Sequence, residues 1–158
     1  MKQMLFVFNP RSGKEQIRGS LLRILDIFTK DGYDIHVHVT QSQGDASRIV
    51  KELGEGMDLI LCSGGDGTLN ETICGMLALK AQPPLGYIPA GSTNDFAVSL
   101  QIPKEDLLVG IDGVDHHVHQ GIGILYILPV SALLQRWPML PPRIERICWA
   151  IRPICWRP

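Results

Sequence analysis

The chain has 158 residues, 45% of them hydrophobic and 20% charged, and a net charge of −1 at neutral pH. That is enough chain for one core of ordinary globular composition and short for two, and a near-neutral charge without a long Lys/Arg run excludes a dedicated nucleic-acid binder. The apolar run at the N-terminus, Met4 to Phe8, is too short for a signal-peptide core or a membrane span, which predicts a cytoplasmic protein. The four cysteines lack CxxC spacing, so neither a zinc site nor a disulfide scaffold is expected, and Cys62 reads as a small buried hydrophobe.

Taken in order, Met4 to Phe8 is a continuous apolar run of the buried-strand kind, ended by the turn signal Asn9-Pro10-Arg11-Ser12-Gly13. Ile17, Leu21, Leu22, Ile24, Leu25 and Phe28 then recur at threes and fours, which predicts a helix stopped by Asp31-Gly32. Tyr33 to Thr40 alternates, with Ile35, Val37 and Val39 on one strand face and His36 and His38 on the other, polar one. Gln43-Gly44-Asp45-Ala46 opens a second helix whose stripe is Ala46, Ile49, Val50 and Leu53. Met57 to Cys62 predicts a third strand, Leu69 to about Leu79 a third helix, and Leu85 to Ile88 a fourth strand. Strands alternating with helices at this spacing predict an α/β domain, a three-layer Rossmann-like parallel sheet with helices on both faces.

Composition changes near Gly121. Residues 1–121 hold 10 Lys+Arg against 15 Asp+Glu, whereas residues 122–158 hold five Arg, no Lys and the single acid Glu145, with all three Trp and six of the eleven Pro. This predicts a domain over 1–121 and an atypical tail over 122–158.

In a parallel sheet, ligands bind outside the carboxyl ends of the strands, and three of the four predicted strands end in glycine-containing turns. After the first, Asn9 to Lys14 combines Ser12 and Gly13 with a helix start, a backbone suited to close approach by a phosphate, although the same residues also make an ordinary turn. After the third, Gly64, Gly65 and Gly67 surround Asp66 immediately before a helix. A capping turn needs one glycine at most, and three at one turn cost backbone entropy that a phosphorylated ligand's close approach explains. A carboxylate beside phosphates suggests Mg2+ or a hydroxyl to be deprotonated. After the fourth, Pro89 to Phe96 brings a second carboxylate, Asp95, to the same end of the sheet.

NPRSG at 9–13, Thr40 followed by Gly44-Asp45-Ala46, GGDGTLNE at 64–71 and PAGSTNDFA at 89–97 resemble, in order and spacing, the diacylglycerol kinase catalytic domain family. That family of soluble lipid kinases includes the sphingosine and ceramide kinases. GGDGT is shared with the NAD kinase superfamily, itself related to the phosphofructokinases, and the flanking motifs narrow the resemblance to lipid kinases. It covers residues 1 to about 118 and implies an NAD kinase/phosphofructokinase-like nucleotide-binding domain. By resemblance, ATP is held by Asn9, Pro10, Arg11, Ser12 and Gly13, by Thr40, by Gly64, Gly65, Asp66, Gly67 and Thr68, and by Thr93, with Asn70 and Glu71 supporting the turn. Asp66 is the implied catalytic residue, and Asp66 and Asp95 are the residues implied to face Mg2+ and the transferred phosphoryl group. The implied partner is a lipid alcohol, diacylglycerol or similar, met by the intact protein at a membrane surface; a homodimer stays open.

His116, His117 and His119 read as metal tract or strand residues, and the family's short strand here favours the latter. Full members of the family continue into a second, largely β domain that supplies the lipid pocket and an acidic residue proposed as base; the tail resembles none of it as written. Leu128 to Trp137, LPVSALLQRW, has an encoding in which a start two bases later reads ASFGAFTEV, and Trp137 to Arg146 in the same offset permits AYATPQNRT, both similar to the family's second domain. A frameshift near Val118 to Gly121 is expected, and with it negligible lipid kinase activity. An Arg/Trp/Pro-rich membrane anchor is the alternative for the tail, opposed by prolines that break any helix longer than about two turns. Two further readings stay open: a nucleotide-binding module without catalysis, and a fragment related to NAD kinases.

Overall fold

The N-terminal apolar run forms the second strand of a five-stranded sheet. The computed structural model describes residues 1–12, 16–92 and 126–128, which fold as β1 (Lys2–Phe8), α1 (Gln16–Lys30), β2 (Tyr33–Val39), α2 (Asp45–Leu53), β3 (Leu59–Gly64), α3 (Asp66–Met76), β4 (Leu85–Pro89) and β5 (Tyr126–Leu128). The sheet order is β2-β1-β3-β4-β5. The first four strands are parallel, with β1 aligned along β2 from Lys2↔Tyr33 to Phe8↔Val39 and along β3 from Met4↔Leu59 to Phe8↔Ser63. The expected α/β class and parallel sheet with helices on both faces are what the structure shows.

Continuous apolar runs arise here because the inner strands are covered twice. Met4, Phe6, Phe8, Leu59, Leu61 and Ile88 pack with Ile17, Ile24 and Phe28 of α1 on one face. Leu5, Val7, Ile60, Cys62, Leu85 and Tyr87 pack with α2 and α3 on the other. Each large side chain buried this way contributes about 1.5–3 kcal/mol relative to exposure.

Three expectations are corrected. Leu22, expected in the stripe of α1, is 81% exposed; it follows Leu21 by one residue and so lies about 100° around the helix from it. Val37 and Val39, expected on one face of the strand with Ile35, are 44% and 36% exposed, because β2 is the sheet edge and only its first half, Tyr33 and Ile35, packs against the α1 cluster. Helix α3 starts at Asp66, three residues before Leu69, because Gly65 is extended (φ −86°, ψ −177°) and its carbonyl accepts the first helical bond, from the Leu69 amide at 3.1 Å. The polar run 66–68 carries no apolar periodicity that would announce this turn. The helix also ends earlier than expected, at Met76.

Gly75 sits where α3 crosses α2, and a Cβ there would come within 2.7 Å of Val50 Cβ and 2.9 Å of the Ser47 carbonyl. Gly32, at φ +83°, ends α1 in the left-handed region that an L side chain resists. Gly13, Thr93, Asp95, the histidines at 116, 117 and 119 and most of the proposed tail lie outside the described residues. Within that tail, Tyr126–Leu128 pairs antiparallel with β4, Leu85↔Leu128 to Tyr87↔Tyr126, a strand not legible in the sequence.

Two substitutions test this packing in opposite directions. Gly75→Ala is expected to lower unfolding free energy by about 1–3 kcal/mol through overpacking, read as a lower urea midpoint at unchanged slope. Among the described residues the buried Ser63 hydroxyl has no hydrogen-bond partner, so Ser63→Ala is expected to raise stability by about 1 kcal/mol; a destabilised variant would show that the hydroxyl is satisfied.

Candidate functional site

The chain passes from β1 through α1 to β2 on one side, then crosses over β1 to β3 and β4 on the other, so the winding reverses between β1 and β3. A crevice at the carboxyl ends of the strands is the expected consequence of such a reversal. Backbone bonds carry the ladder just past the strand ends: Asn9 N to Ser63 O and Thr40 N to Phe8 O at 2.9 Å each, and Ala90 N to Gly64 O at 2.9 Å. The loops after β1, β2, β3 and β4 therefore begin level with one another.

A cleft of about 490 Å3 opens there. One wall is Asn9, Pro10, Arg11 and Ser12; another is Gly65, Gly67, Thr68 and Glu71; a third is Thr40, Gln41, Ser42 and Gln43. The first two are tied together. Asn9 Nδ2 donates to Thr68 Oγ1 at 3.4 Å while Asn9 Oδ1 accepts from the Arg11 amide at 2.9 Å, and the Gly65 amide donates to Ser12 Oγ at 3.3 Å. Ser12 and Thr68 are buried and Arg11 is exposed at the rim. Because Leu69 makes the first intrahelical bond, the amides of Gly67 and Thr68 have no acceptor inside α3, and the positive end of the helix dipole lies at the cleft.

The three glycines at this turn have different reasons. A Cβ on Gly64 would strike Thr68 at 2.6–3.0 Å, one on Gly65 would touch Gly91 Cα at 3.5 Å, and one on Gly67 would meet nothing within 4 Å. Gly64 is thus required by packing, whereas Gly67 leaves room on the cleft wall.

Nine of the expected site residues line the cleft: Asn9, Pro10, Arg11, Ser12, Thr40, Gly65, Gly67, Thr68 and Glu71. Gly64 and Asn70 are buried beneath it, and Asp66 is half-buried at the first position of α3, off the lining wall. Gly13, Thr93 and Asp95 lie outside the described residues. Gln41, Ser42 and Gln43 are lining residues that the motifs do not mark; their signal is a polar run directly after a parallel strand. Among the described residues, no three or more His, Cys, Asp or Glu side chains are grouped to hold a metal, and no helix is long and apolar enough to cross a membrane.

The strongest charge network borders the third wall. Asp45 is 7% exposed, and its Oδ2 accepts from the Gln41 amide at 2.9 Å and from His38 Nε2 at 3.1 Å. Its Oδ1 accepts from Arg48 Nη2 at 2.6 Å and Nε at 3.2 Å, and Arg48 also pairs with Glu52. The Gln41 amide first, then His38 and Arg48, hold the Asp45 carboxyl at about 2, below the ordinary 3.8. Burial pushes the Cys62 thiol up to about 12, which leaves it a packing residue and not a nucleophile.

Residues 3–125 match the family model of the diacylglycerol kinase catalytic domain. The chain belongs to that family. It is 42% identical over 125 residues to a diacylglycerol kinase of Bacillus subtilis, covering 78% of this chain and 41% of the relative. It is 38% identical over 112 residues to one from Staphylococcus aureus strain MRSA252, covering 70% and 35%. A solved diacylglycerol kinase structure from Bacillus anthracis str. Sterne superposes with a TM-score of 0.57 at 33% identity, over 66% of this chain and 38% of that one. The chain thus spans about two-fifths of the length of these family members.

Asp45 supplies a pH test of the third wall. A carboxyl whose folded pKa is depressed stabilises the fold above its unfolded pKa and ceases to do so as pH falls through the folded value. Wild type is therefore expected to exceed Asp45→Asn in unfolding free energy above about pH 4, with the gap closing between the 3.8 of a free carboxyl and about 2. A gap independent of pH across that window would show that the carboxylate charge is not what the network uses.

Proposed function

We propose that this domain is the nucleotide-holding part of an ATP-dependent lipid kinase, transferring a phosphoryl group from Mg-ATP to the hydroxyl of diacylglycerol or a similar lipid alcohol. One observation carries this reading: at the reversal point of the sheet, Gly67 and Thr68, whose amides have no acceptor inside α3, and the Asn9–Ser12 turn line a single cleft. Backbone N–H groups at a helix start, with Arg11 at the rim, suit a polyphosphate. Family membership supports the kinase class, and the lipid acceptor follows from the relatives' names.

In this reading the Asn9–Ser12 turn and the start of α3 orient the phosphates, while Thr40 meets the nucleoside side. Asp66 and, from outside the described residues, Asp95 and Thr93 complete the donor site. The carboxylates fit Mg2+, which is commonly held by one or two carboxylates with water and substrate phosphates and needs no all-protein cage. When bound, the ion would neutralise charge on the phosphates. Asp66, at the first position of α3, would hold it next to the helix start, and transfer would depend mainly on positioning and charge neutralisation.

The domain is expected to bind Mg-ATP by calorimetry. Gly67→Val, whose Cβ meets nothing within 4 Å and whose side chain fills cleft space, is expected to weaken binding at least about tenfold with no loss of melting temperature, and Gly65→Val is expected to weaken binding as well. Unchanged affinity in both variants would remove α3 from the nucleotide site. Phosphorylation of NAD in place of diacylglycerol by the in-frame chain would select the NAD kinase relationship instead.

We further propose that the residues after about 121 derive from a shifted reading frame. The family match ends at residue 125, close to where composition changes, and the offset translation supports the same break. A single-base repair near codon 120 is expected to give Asp66-dependent phosphorylation of diacylglycerol in a radiolabelled-ATP assay, with negligible product from the unrepaired chain. Equal rates would overturn the argument that the residues beyond the break are needed for catalysis and place the catalytic groups among the residues already named.

A further inference from the structure

Of the three cleft walls, two are laced to each other through Asn9, Thr68, Ser12 and Gly65. The third, Thr40 to Gln43, is held from behind by Asp45, a residue not on the lining wall. An acid at the start of a helix ordinarily serves that helix's own amides, but the cap of α2 is Gly44 at φ 84° with no side-chain capping bond. Both Asp45 oxygens are directed elsewhere: Oδ2 to the Gln41 amide and to His38 at the end of β2, and Oδ1 to Arg48. Removing Asp45 leaves the Gln41 amide without its acceptor and His38 without its partner.

The placement of this wall also says which part of a ligand it meets. Sheet order sets the β2 loop outermost, beyond the β1 loop, while the amide-lined start of α3 follows β3. Neighbouring strands are about 4.8 Å apart, so a nucleotide with its phosphates at α3 and lying across β1 reaches Thr40–Gln43 with its nucleoside end. The side chains there are hydroxyls and carboxamides without a cation, suited to a ribose or a neutral base and not to phosphate.

We propose that Asp45 is a positioning residue for nucleoside recognition: it fixes the Thr40–Gln43 segment through the Gln41 amide and His38, while the Asn9–Ser12 turn and the start of α3 hold the phosphates. This rests on the nucleotide reading of the cleft. The test compares ATP with inorganic triphosphate, each with Mg2+, by calorimetry on the full chain. Wild type binds both, ATP more tightly. Asp45→Ala loses at least about tenfold in ATP affinity, the scale of one or two hydrogen bonds to a charged group, and keeps triphosphate affinity within twofold. His38→Ala, which leaves α2 and Arg48 intact, shifts ATP alone in the same direction by less, and serves if Asp45→Ala fails to fold. Gly67→Val loses both ligands. Equal losses of ATP and triphosphate in the Asp45 and His38 variants, or no loss, overturn the positioning role while leaving the nucleotide site standing. A wild-type chain that binds neither ligand overturns the nucleotide reading itself.

Discussion

The pairing of β1 with β3 is the constraint from which the site follows. Those two strands are adjacent in the sheet yet separated in sequence by α1, β2 and α2, so the chain must leave on one side and return on the other. Burial on both faces makes that arrangement stable: Phe6 and Leu61 under α1, Val7 and Cys62 under α2 and α3. The reversal places the β1 and β3 loops side by side at neighbouring strand ends, where Asn9–Thr68 and Gly65–Ser12 bonds tie them, and the cleft at those ends follows from topology before any particular side chain is chosen. Chemistry is then written on loops whose anchors are core strands.

Within the cleft, hydrogen bonds divide the labour between backbone and side chain. Asn9 and Ser12 use their side chains to hold the α3 turn, while the amides of Gly67 and Thr68 stay outside the helix ladder. Such amides carry no desolvation cost as large as a buried charge would, and on the proposed nucleotide reading they are dipoles already in place for a phosphate. Among the described residues, Arg11 stands at the rim, Glu71 lies one turn into α3, and Asp45 sits behind the third wall, paired with Arg48.

Most of the architecture is legible in the sequence because burial on two faces produces continuous apolar runs and burial on one produces helical stripes. The failures are equally physical. Leu22 has the right residue type at the wrong angle, and Val37 and Val39 alternate correctly on an edge strand whose second half the α1 cluster does not cover. The start of α3 is hidden because residues 66–68 are polar or glycine, so no apolar periodicity marks them. Motif matching finds the lining residues of the first two walls and Thr40 of the third; it passes over Gln41, Ser42 and Gln43, which complete the third wall through a polar loop of ordinary composition. The part played by Asp45 depends on a hydrogen bond from four residues earlier, a relation that spacing alone does not distinguish from helix capping.

Gly64-Gly65-Asp66-Gly67-Thr68 reads in sequence as one phosphate-binding unit, yet its members answer to different forces. Gly64 is glycine because Thr68 occupies the space a side chain would need, and Thr68 is held there by Asn9 and by Thr72, whose hydroxyl donates to the Thr68 carbonyl at 2.9 Å. Tyr87 adds a hydrogen bond to the Gly64 carbonyl at 3.1 Å. None of these glycines adopts a positive φ, so backbone strain explains none of them. Gly67 alone has free space where its side chain would be and lies on the cleft wall. A helix position that would tolerate alanine sterically, and would gain about 1 kcal/mol of helix propensity from it, is left as glycine where a ligand would lie. Folding accounts for Gly64 without a ligand; for Gly67 it does not, and on the proposed nucleotide reading that space is kept for a polyphosphate.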